Sequence, residues 1–429
     1  MTKELLVTKK PLIKKLVIKR FRSFLSDVVD FDNPMFLEGR NGSGKSNFVA
    51  AFAFLSEAMA SPLQAVFDRR GGISAVRNRT SGKGGYPPNL GLSVELGAIN
   101  DKIIRGRFAF EIRALPNYGF EVIREQCVAI TVDSERFFYD RVKERGKQFN
   151  TNVKGLNPSL DPASLCLPVV GGDEHFAPIM KALGAMRVYS IEPTRLREMQ
   201  DPDTGTTLRS DGGNAASVLQ ELVRSDLNAM NQVCKILESI VPGTISVRPK
   251  KHGNKLSLEF TQEWSGEPFL EIKESTVEEK VDKKNLKFEA FDMSDGTLRA
   301  VGLLMAVFQK PQPSVLVVEE PEATIHPGAL GAVLDLLRHA SRMTQVIITT
   351  HSPDVLDAPW IGPQNLRIVT WDMGKSCILP PSEATKEAIK DHLMGVGELF
   401  RSEALNPAPT SMFEEHPERL ELFEHMNLS

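Results

Sequence analysis

The alternation of apolar and polar positions from Leu12 to Phe24 has a period of two and predicts a strand, with Val28 to Phe31 as its hairpin partner. A third strand should end at Phe36-Leu-Glu38. Behind a short glycine-rich turn, Phe48, Val49, Phe52, Phe54 and Leu55 predict an apolar helix starting near Asn47 and closed by Ser61-Pro62. From Leu90 to about Asn150 the period is again two, in Leu92–Leu96, Arg107–Arg113, Phe120–Arg124 and Cys127–Val132, punctuated by Pro116, Asn117 and Gly119. An antiparallel meander is expected there, its outward face mixing Glu, Arg and Lys like an ordinary solvated sheet. Residues 150–185 are rich in Pro and Gly and read as a loop-rich crossing with short helices, leading into a strand at Met186–Ile191. Ser210 to Asn214 should then cap a single amphipathic helix from Ala215 to Ile240. Along it Val218, Leu219, Leu222, Val223, Leu227, Met230, Val233, Ile236 and Leu237 recur at spacings of three and four. A hairpin is expected from Thr244–Arg248 and Leu256–Phe260, and the charge-rich run Lys273–Lys287 should be surface. Two further apolar segments, Ala300–Phe308 and Val315–Val318, predict a buried helix and a buried strand, and Gln345–Thr350 another buried strand.

With 429 residues, 41% of them hydrophobic and 25% charged, the chain can bury one large domain or two lobes. The net charge of −3 excludes a globally basic protein. Any nucleic-acid contact must therefore come from local patches, for which Arg69–Lys83 and the hairpin tip Arg248–Lys255 are the candidates. The four cysteines lie far apart with no C-x-x-C pair, which argues against a zinc knuckle, a redox dithiol or a disulfide framework. A reducing, cytoplasmic location fits best. Lys3, Lys9, Lys10, Lys14 and Lys15 break the first twenty residues, so no signal peptide is expected, and no apolar run is long enough for a membrane span.

The chemistry is concentrated in four places. Gly39, Gly44, Lys45 and Ser46 stand in a G-x-x-x-x-G-K-S frame between a strand and a helix. Glycines let successive N–H groups turn toward phosphate oxygens, a lysine meets the outer phosphates, and a serine hydroxyl can reach Mg²⁺. The nucleotide-binding candidates are Gly39, Arg40, Asn41, Gly42, Ser43, Gly44, Lys45, Ser46 and Asn47. Ser294-Asp-Gly296 opens the helix before Ala300 and again aims a hydroxyl and helix amides at an anion. The strand Val315–Val318 runs into Glu319 and Glu320, a costly pair unless one acid holds Mg²⁺ and the other handles a proton. His351 follows the strand Gln345–Thr350, where a γ-phosphate would lie.

In this order the motifs resemble the ABC-type ATPases of the RecF, SMC and OLD group, especially prokaryotic AAA family ATPases without a TOPRIM domain. The resemblance is carried by Ile18–Phe24, the Walker A loop, Met293–Thr297, the strand ending Glu319-Glu-Pro-Glu322, Thr324–Pro327 and Thr350–Pro353, with His392–Phe400 as the tail of that group. It implies an α/β fold, a P-loop ATPase head with a mixed sheet and flanking helices. Residues 1–60 and 285–400 would form the core, 61–284 an inserted β-meander and helical lobe, and 401–429 a C-terminal tail. ATP and Mg²⁺ are the implied cofactors. Lys45 would bind the β- and γ-phosphates, Ser46 and Glu319 the metal, Glu320 would polarise the attacking water and His351 would sense the γ-phosphate. Ser294, Asp295 and Gly296 would reach the nucleotide of a second copy, making the working unit at least a homodimer. Glu319 stands where the group usually has Asp, and S-D-G-T replaces S-G-G-Q. Gln64 and Gln126 are candidates for the Q-loop glutamine. The stretch after His351 has no Asp-x-Asp, so a built-in nuclease is not expected. The implied function is a dimerising ATP-driven switch, the sensor or regulator subunit of an antiviral defence complex acting on a separate effector, a nuclease or toxin. A RecF-like repair protein that binds DNA and an ATP-bound scaffold with negligible turnover are the alternatives.

Overall fold

The computed structural model describes residues 10, 12–79, 89–117, 119–143, 147–265, 269–273, 276–280, 283–411 and 417–425. Two compact units are present, one of Met1–Val188, Pro313–Val318 and Ser341–Ser429, the other of Tyr189–Gln312 and Glu319–Ala340. Along the chain, the hairpin β1 (Ile13–Phe21) and β2 (Phe24–Asp30) leads into β3 (Met35–Glu38), then α1 (Lys45–Ala60), α2 (Leu63–Asp68) and α3 (Ile73–Val76). The expected meander follows as β4 (Asn89–Leu96), β5 (Ile103–Ala114), β6 (Phe120–Thr131), β7 (Arg136–Lys143) and β8 (Lys147–Thr151), and then α4 (Leu167–Val170), α5 (Ala177–Gly184) and β9 (Arg187–Tyr189). The second unit carries α6 (Pro193–Arg197), α7 (Ala215–Ser225), α8 (Leu227–Ile240), β10 (Thr244–His252), β11 (Lys255–Ser265), β12 (Phe269–Lys273), β13 (Thr276–Lys280), β14 (Lys283–Glu289) and α9 (Asp295–Phe308). After β15 (Val315–Glu319) and α10 (Pro327–Ala340) the chain continues through β16 (Gln345–Thr350), α11 (Pro353–Leu356), β17 (Leu366–Asp372), β18 (Lys375–Leu379), α12 (Glu383–Lys390) and α13 (Val396–Arg401).

The large sheet has the order β8-β7-β6-β5-β4-β1-β2-β18-β17-β3-β16-β15-β9. Its flank is antiparallel, with Leu16 of β1 opposite both Val29 of β2 and Val94 of β4. At its centre β3 lies parallel to β16 on one side and to β17 on the other. Successive strand side chains point to opposite faces. Met35 and Leu37 accordingly join the core beneath α1, whereas the Phe36 ring meets Trp360, centroids 5.6 Å apart. Helix α1 is buried around most of its circumference, which requires cover on two sides. Phe21, Phe31 and Phe110 of the sheet side pack on Phe54 and Phe48 at 5.8–6.2 Å between rings. The Ser56 hydroxyl on α1 lies within hydrogen-bond distance of the carbonyls of Gly184, the last residue of α5, and Met186, and can donate to either. Each buried phenylalanine contributes ~1.5–3 kcal/mol, so this aromatic layer fixes where α1 begins. Residues 417–425 lie across the meander. Leu422 fills the space a Cβ on Gly91 would need, and Gln126 exchanges two hydrogen bonds with the Glu424 backbone.

In the second unit the helix expected from Ala215 to Ile240 is two helices. Asp226 leaves helical geometry at φ −151°, ψ 86°, and its carboxylate accepts from Ala229 N–H while pairing with Lys310. A side chain that caps a new helix competes with continuing the old one. Asn214 stands at the N-terminus of α7 as expected, but its side chain spans Arg209, Thr207 and Asp203 and does not cap the helix. The expected hairpin forms as β10 and β11 and gains β14 as a third strand, so the charged run 273–287 is partly sheet. Helix α9 is buried along nearly its whole length, and Ile191 packs so close to Gly302 that a Cβ there would lie 2.5 Å away.

Candidate functional site

The turn after β3 is built from backbone. Gly42 and Gly44 have φ of 79° and 114°, conformations that L side chains rarely adopt. A Cβ on Gly44 would also lie 2.1 Å from Ser376 Oγ, and one on Gly39 would lie 2.5 Å from the Val369 carbonyl of β17. Ser376 Oγ donates to the Ser43 carbonyl at 2.6 Å and shares a hydrogen bond with Ser23 Oγ at 2.7 Å, and Asn47 Nδ2 donates to Ser23 Oγ at 2.9 Å. Arg22 Nη1 reaches Asn47 Oδ1 at 3.2 Å. The loop is thus braced from β18 and from the β1–β2 turn. Lys45 is buried and its Nζ folds back onto the carbonyls of Gly39, 2.5 Å, and Arg40, 3.3 Å. Helix α1 starts at Lys45 with no capping side chain, so its first-turn amides keep their capacity for a ligand. Ser43 Oγ is buried without a hydrogen-bond partner, while Ser46 and Asn41 are exposed. An orphaned hydroxyl, uncapped helix amides and an exposed serine at the second helical position are what a bound triphosphate with magnesium would satisfy. Burial pushes Glu38, the last residue of β3, up to about 7, against the pull of Lys45 and Arg40. Arg40 pairs with Glu403 at 2.7 Å on the surface.

His351 comes to this loop through strand pairing. Thr350 of β16 is in register with Glu38 of β3, so the residues that follow them, His351 and Gly39, leave neighbouring parallel strands side by side. His351 is exposed, and Ser352 caps the short α11 behind it. Beside β16 in the sheet stands β15, whose last residue is Glu319.

In the second unit Ser294 is the N-cap of α9, its Oγ accepting from Thr297 N–H at 3.2 Å. Ser294 and Asp295 are exposed. A cavity of about 410 Å³ opens over this turn, lined by Ser294, Gly296 and Thr297, by Thr324, Ile325 and His326, and by Ser239–Pro242 at the end of α8. The Thr324 carbonyl lies where a Cβ on Gly296 would be, 2.6 Å away, so glycine is required there. Two residues that local pattern does not single out hold this region. Arg197 of α6 pairs with Asp295 at 2.6 Å and donates to the Met293 carbonyl, and Arg299 of α9 donates to the Glu320 carbonyl at 3.1 Å. Glu320 itself has φ 44° and Thr324 φ 63°.

Of the other candidates, Gln64 is exposed and bonds Asp68, and Gln126 is buried against Asp140 and the Glu424 backbone. The basic patches are largely engaged. Arg69 and Arg70 pair with Glu57, Lys250 with Glu259 and Glu289, and Lys255 with Asp201. Lys83, with residues 80–88, lies outside the described residues. Among the described residues no helix is long and apolar enough to cross a membrane.

A mixed sheet with a glycine-turned loop between its central strand and a buried helix, a histidine at the adjacent strand end, and flanking helices make up the fold of SMC head ATPases. The family described as "AAA domain, putative AbiEii toxin, Type IV TA system" matches residues 35–165 and 195–357, and the chain belongs to it. An SMC head solved with the C-winged helix domain of ScpA shares the fold at a TM-score of 0.53 and 16% identity, covering 89% of this chain and 100% of that one. A Pyrococcus furiosus SMC head with an extended coiled coil, bound to the C-terminal domain of ScpA, does so at a TM-score of 0.50 and 13% identity, covering 90% and 100%. No curated protein matches the chain.

Proposed function

We propose that the protein is an ATP hydrolase that works as a dimerising switch, residues 39–47 of one copy closing on the Ser294–Gly296 turn of another around ATP. The observation that carries this reading is the braced loop with its orphaned Ser43 hydroxyl and inturned Lys45. Lys45 would turn from the neutral Gly39 and Arg40 carbonyls to the anionic β- and γ-phosphate oxygens, stronger acceptors for an ammonium. Magnesium, held by Ser46 and Glu319, would neutralise charge on those oxygens. Glu320 takes a proton from the attacking water and His351 donates a hydrogen bond toward the γ-phosphate. The exposed Ser294, the open cavity above it and the nearby Phe291, 67% exposed, support a second copy as the source of the missing half. Residues 1–60 and 285–400 form the catalytic core in this reading, 61–284 the inserted lobe and 401–429 the tail.

What the switch controls is read from kinship. A family described by a toxin–antitoxin system, and two SMC heads solved with a bound ScpA domain, support a regulator that acts on a separate effector protein, as in antiviral defence. The engaged cations of the two basic patches favour this over DNA repair. The test is turnover and oligomeric state side by side: Glu320→Gln should lower turnover ~100-fold while leaving ATP bound and the dimer accumulated. Unchanged turnover removes Glu320 from the role, and a wild-type protein that binds ATP without hydrolysing it leaves a scaffold.

A further inference from the structure

The dipeptide that follows β15, Glu320-Pro321, is strained, and one arginine of the neighbouring helix is fastened to it. Glu320 sits at φ 44°, in the left-handed region, and is followed by Pro321, which narrows the backbone of the residue before it. A non-glycine residue in that conformation persists only where its surroundings over-determine it. Arg299 supplies such a restraint, donating from Nη1 to the Glu320 carbonyl at 3.1 Å. It lies on the second turn of α9, five residues beyond Ser294, so the same helix presents the Ser-Asp-Gly turn at its tip and the guanidinium one turn later. The guanidinium is half-buried, the charges that act on it are those of Glu322, Glu320 and Asp295, and its Nε–H is buried with no hydrogen-bond partner. A buried donor left unused beside several acceptors is costly unless a second arrangement uses it. The tip of α9 is not free to drift, because Arg197 ties it through Asp295 and the Met293 carbonyl and the Thr324 backbone rests on Gly296.

We infer that Arg299 is a positioning residue for Glu320: it joins the Ser294–Gly296 turn to the proton-accepting carboxylate, so that occupation of the turn by a sister copy's nucleotide is felt as a change in how Glu320 is held. This rests on the hydrolase reading above. The fork of the guanidinium is what suits it to the task, since one donor keeps the carbonyl while the unused Nε–H can take a carboxylate. An ammonium at the same place is a single point.

Steady-state turnover of Arg299→Ala, with nucleotide affinity measured separately on a fluorescent ATP analogue, tests this. The expected result is kcat down ~10- to 100-fold with affinity changed less than ~3-fold. Added guanidinium at millimolar level should restore part of the rate, and Arg299→Lys should not. In a Glu320→Gln background the same substitution should cost nothing further, as two residues acting through one step are non-additive. Full turnover in Arg299→Ala overturns the inference, and so does a loss that is additive with Glu320→Gln or that guanidinium does not touch. If Arg299→Ala fails to fold, Arg299→Gln retains an amide donor for the carbonyl, and wild-type kcat in that variant likewise overturns it. A wild-type protein without turnover overturns the hydrolase reading and this one together, whereas active wild type, inactive Glu320→Gln and active Arg299→Ala overturn this one alone.

Discussion

The loop after β3 and the Ser294 turn both open buried helices, yet they are held in different ways. The loop after β3 owes its shape to glycines at positive φ and to close backbone approaches, with Ser376 and Ser23 as braces. Its turn is set by the glycines within residues 39–46, and its braces come from β17, β18 and the β1–β2 turn. The Ser294 turn has an ordinary side-chain cap and exposed polar residues, and its surroundings are set by Arg197 of α6 and by the Thr324 backbone, which come from other elements. A site made of backbone is stiff and ready before its ligand arrives. One made of side-chain ties can have more than one arrangement, the property a switch needs.

The contrast can be broken most severely at Gly44. Gly44→Ala combines φ 114° with a Cβ 2.1 Å from Ser376 Oγ, and should cost about 2 kcal/mol of stability together with most ATP affinity, read by thermal melting and nucleotide titration. Gly42→Ala is the control, because its φ of 79° carries strain but nothing lies within 4 Å of the added carbon. Equal effects in the two variants would mean that close approach to β18 is irrelevant. Ser294→Arg should do the opposite at the other turn. Filling the cavity there leaves ATP binding to a single copy intact and lowers turnover and ATP-dependent dimerisation ~100-fold; a fall in single-copy affinity would show that the turn serves its own chain's nucleotide.

The smallest effect expected is a pH dependence confined to the phosphate-loop unit. Burial raises Asp27 from the ordinary 3.8, and Glu38 from 4.5, each to about 7. Both carboxyls bind protons more tightly folded than unfolded. Their share of stability is therefore complete below the unfolded values and is lost as pH rises through about 7. The melting temperature should fall by ~5 °C between about pH 5 and pH 8, and the double variant Asp27→Asn, Glu38→Gln should flatten the slope. A slope that survives in the variant assigns the titration elsewhere.

Much of the fold was legible because its signals are local. The period of two along β4–β7, the apolar helix behind Gly44 and the buried strands β15 and β16 can each be read from ten or so residues. The misreading at Asp226 shows the limit, since a continuous apolar stripe cannot reveal that one carboxylate will cap a new helix and pair with Lys310, eighty-four positions away. Local pattern equally gives no reason to notice Ser376, Arg197 or Arg299. Each is an ordinary polar residue whose partners are distant in sequence, and only chain folding decides that it meets a loop carbonyl, a turn or a strained dipeptide.

By itself the sequence determined which residues can turn and which carry titratable groups: the glycines of 39–46, Lys45, the acids at 319 and 320, and His351. The tertiary structure alone decided that Thr350 registers with Glu38, so that His351 emerges beside the loop, and that Arg299 lies against Glu320. Backbone preference is a property of a few neighbouring residues, whereas register and side-chain contact are settled by the packing of a whole unit, which no short window of sequence contains.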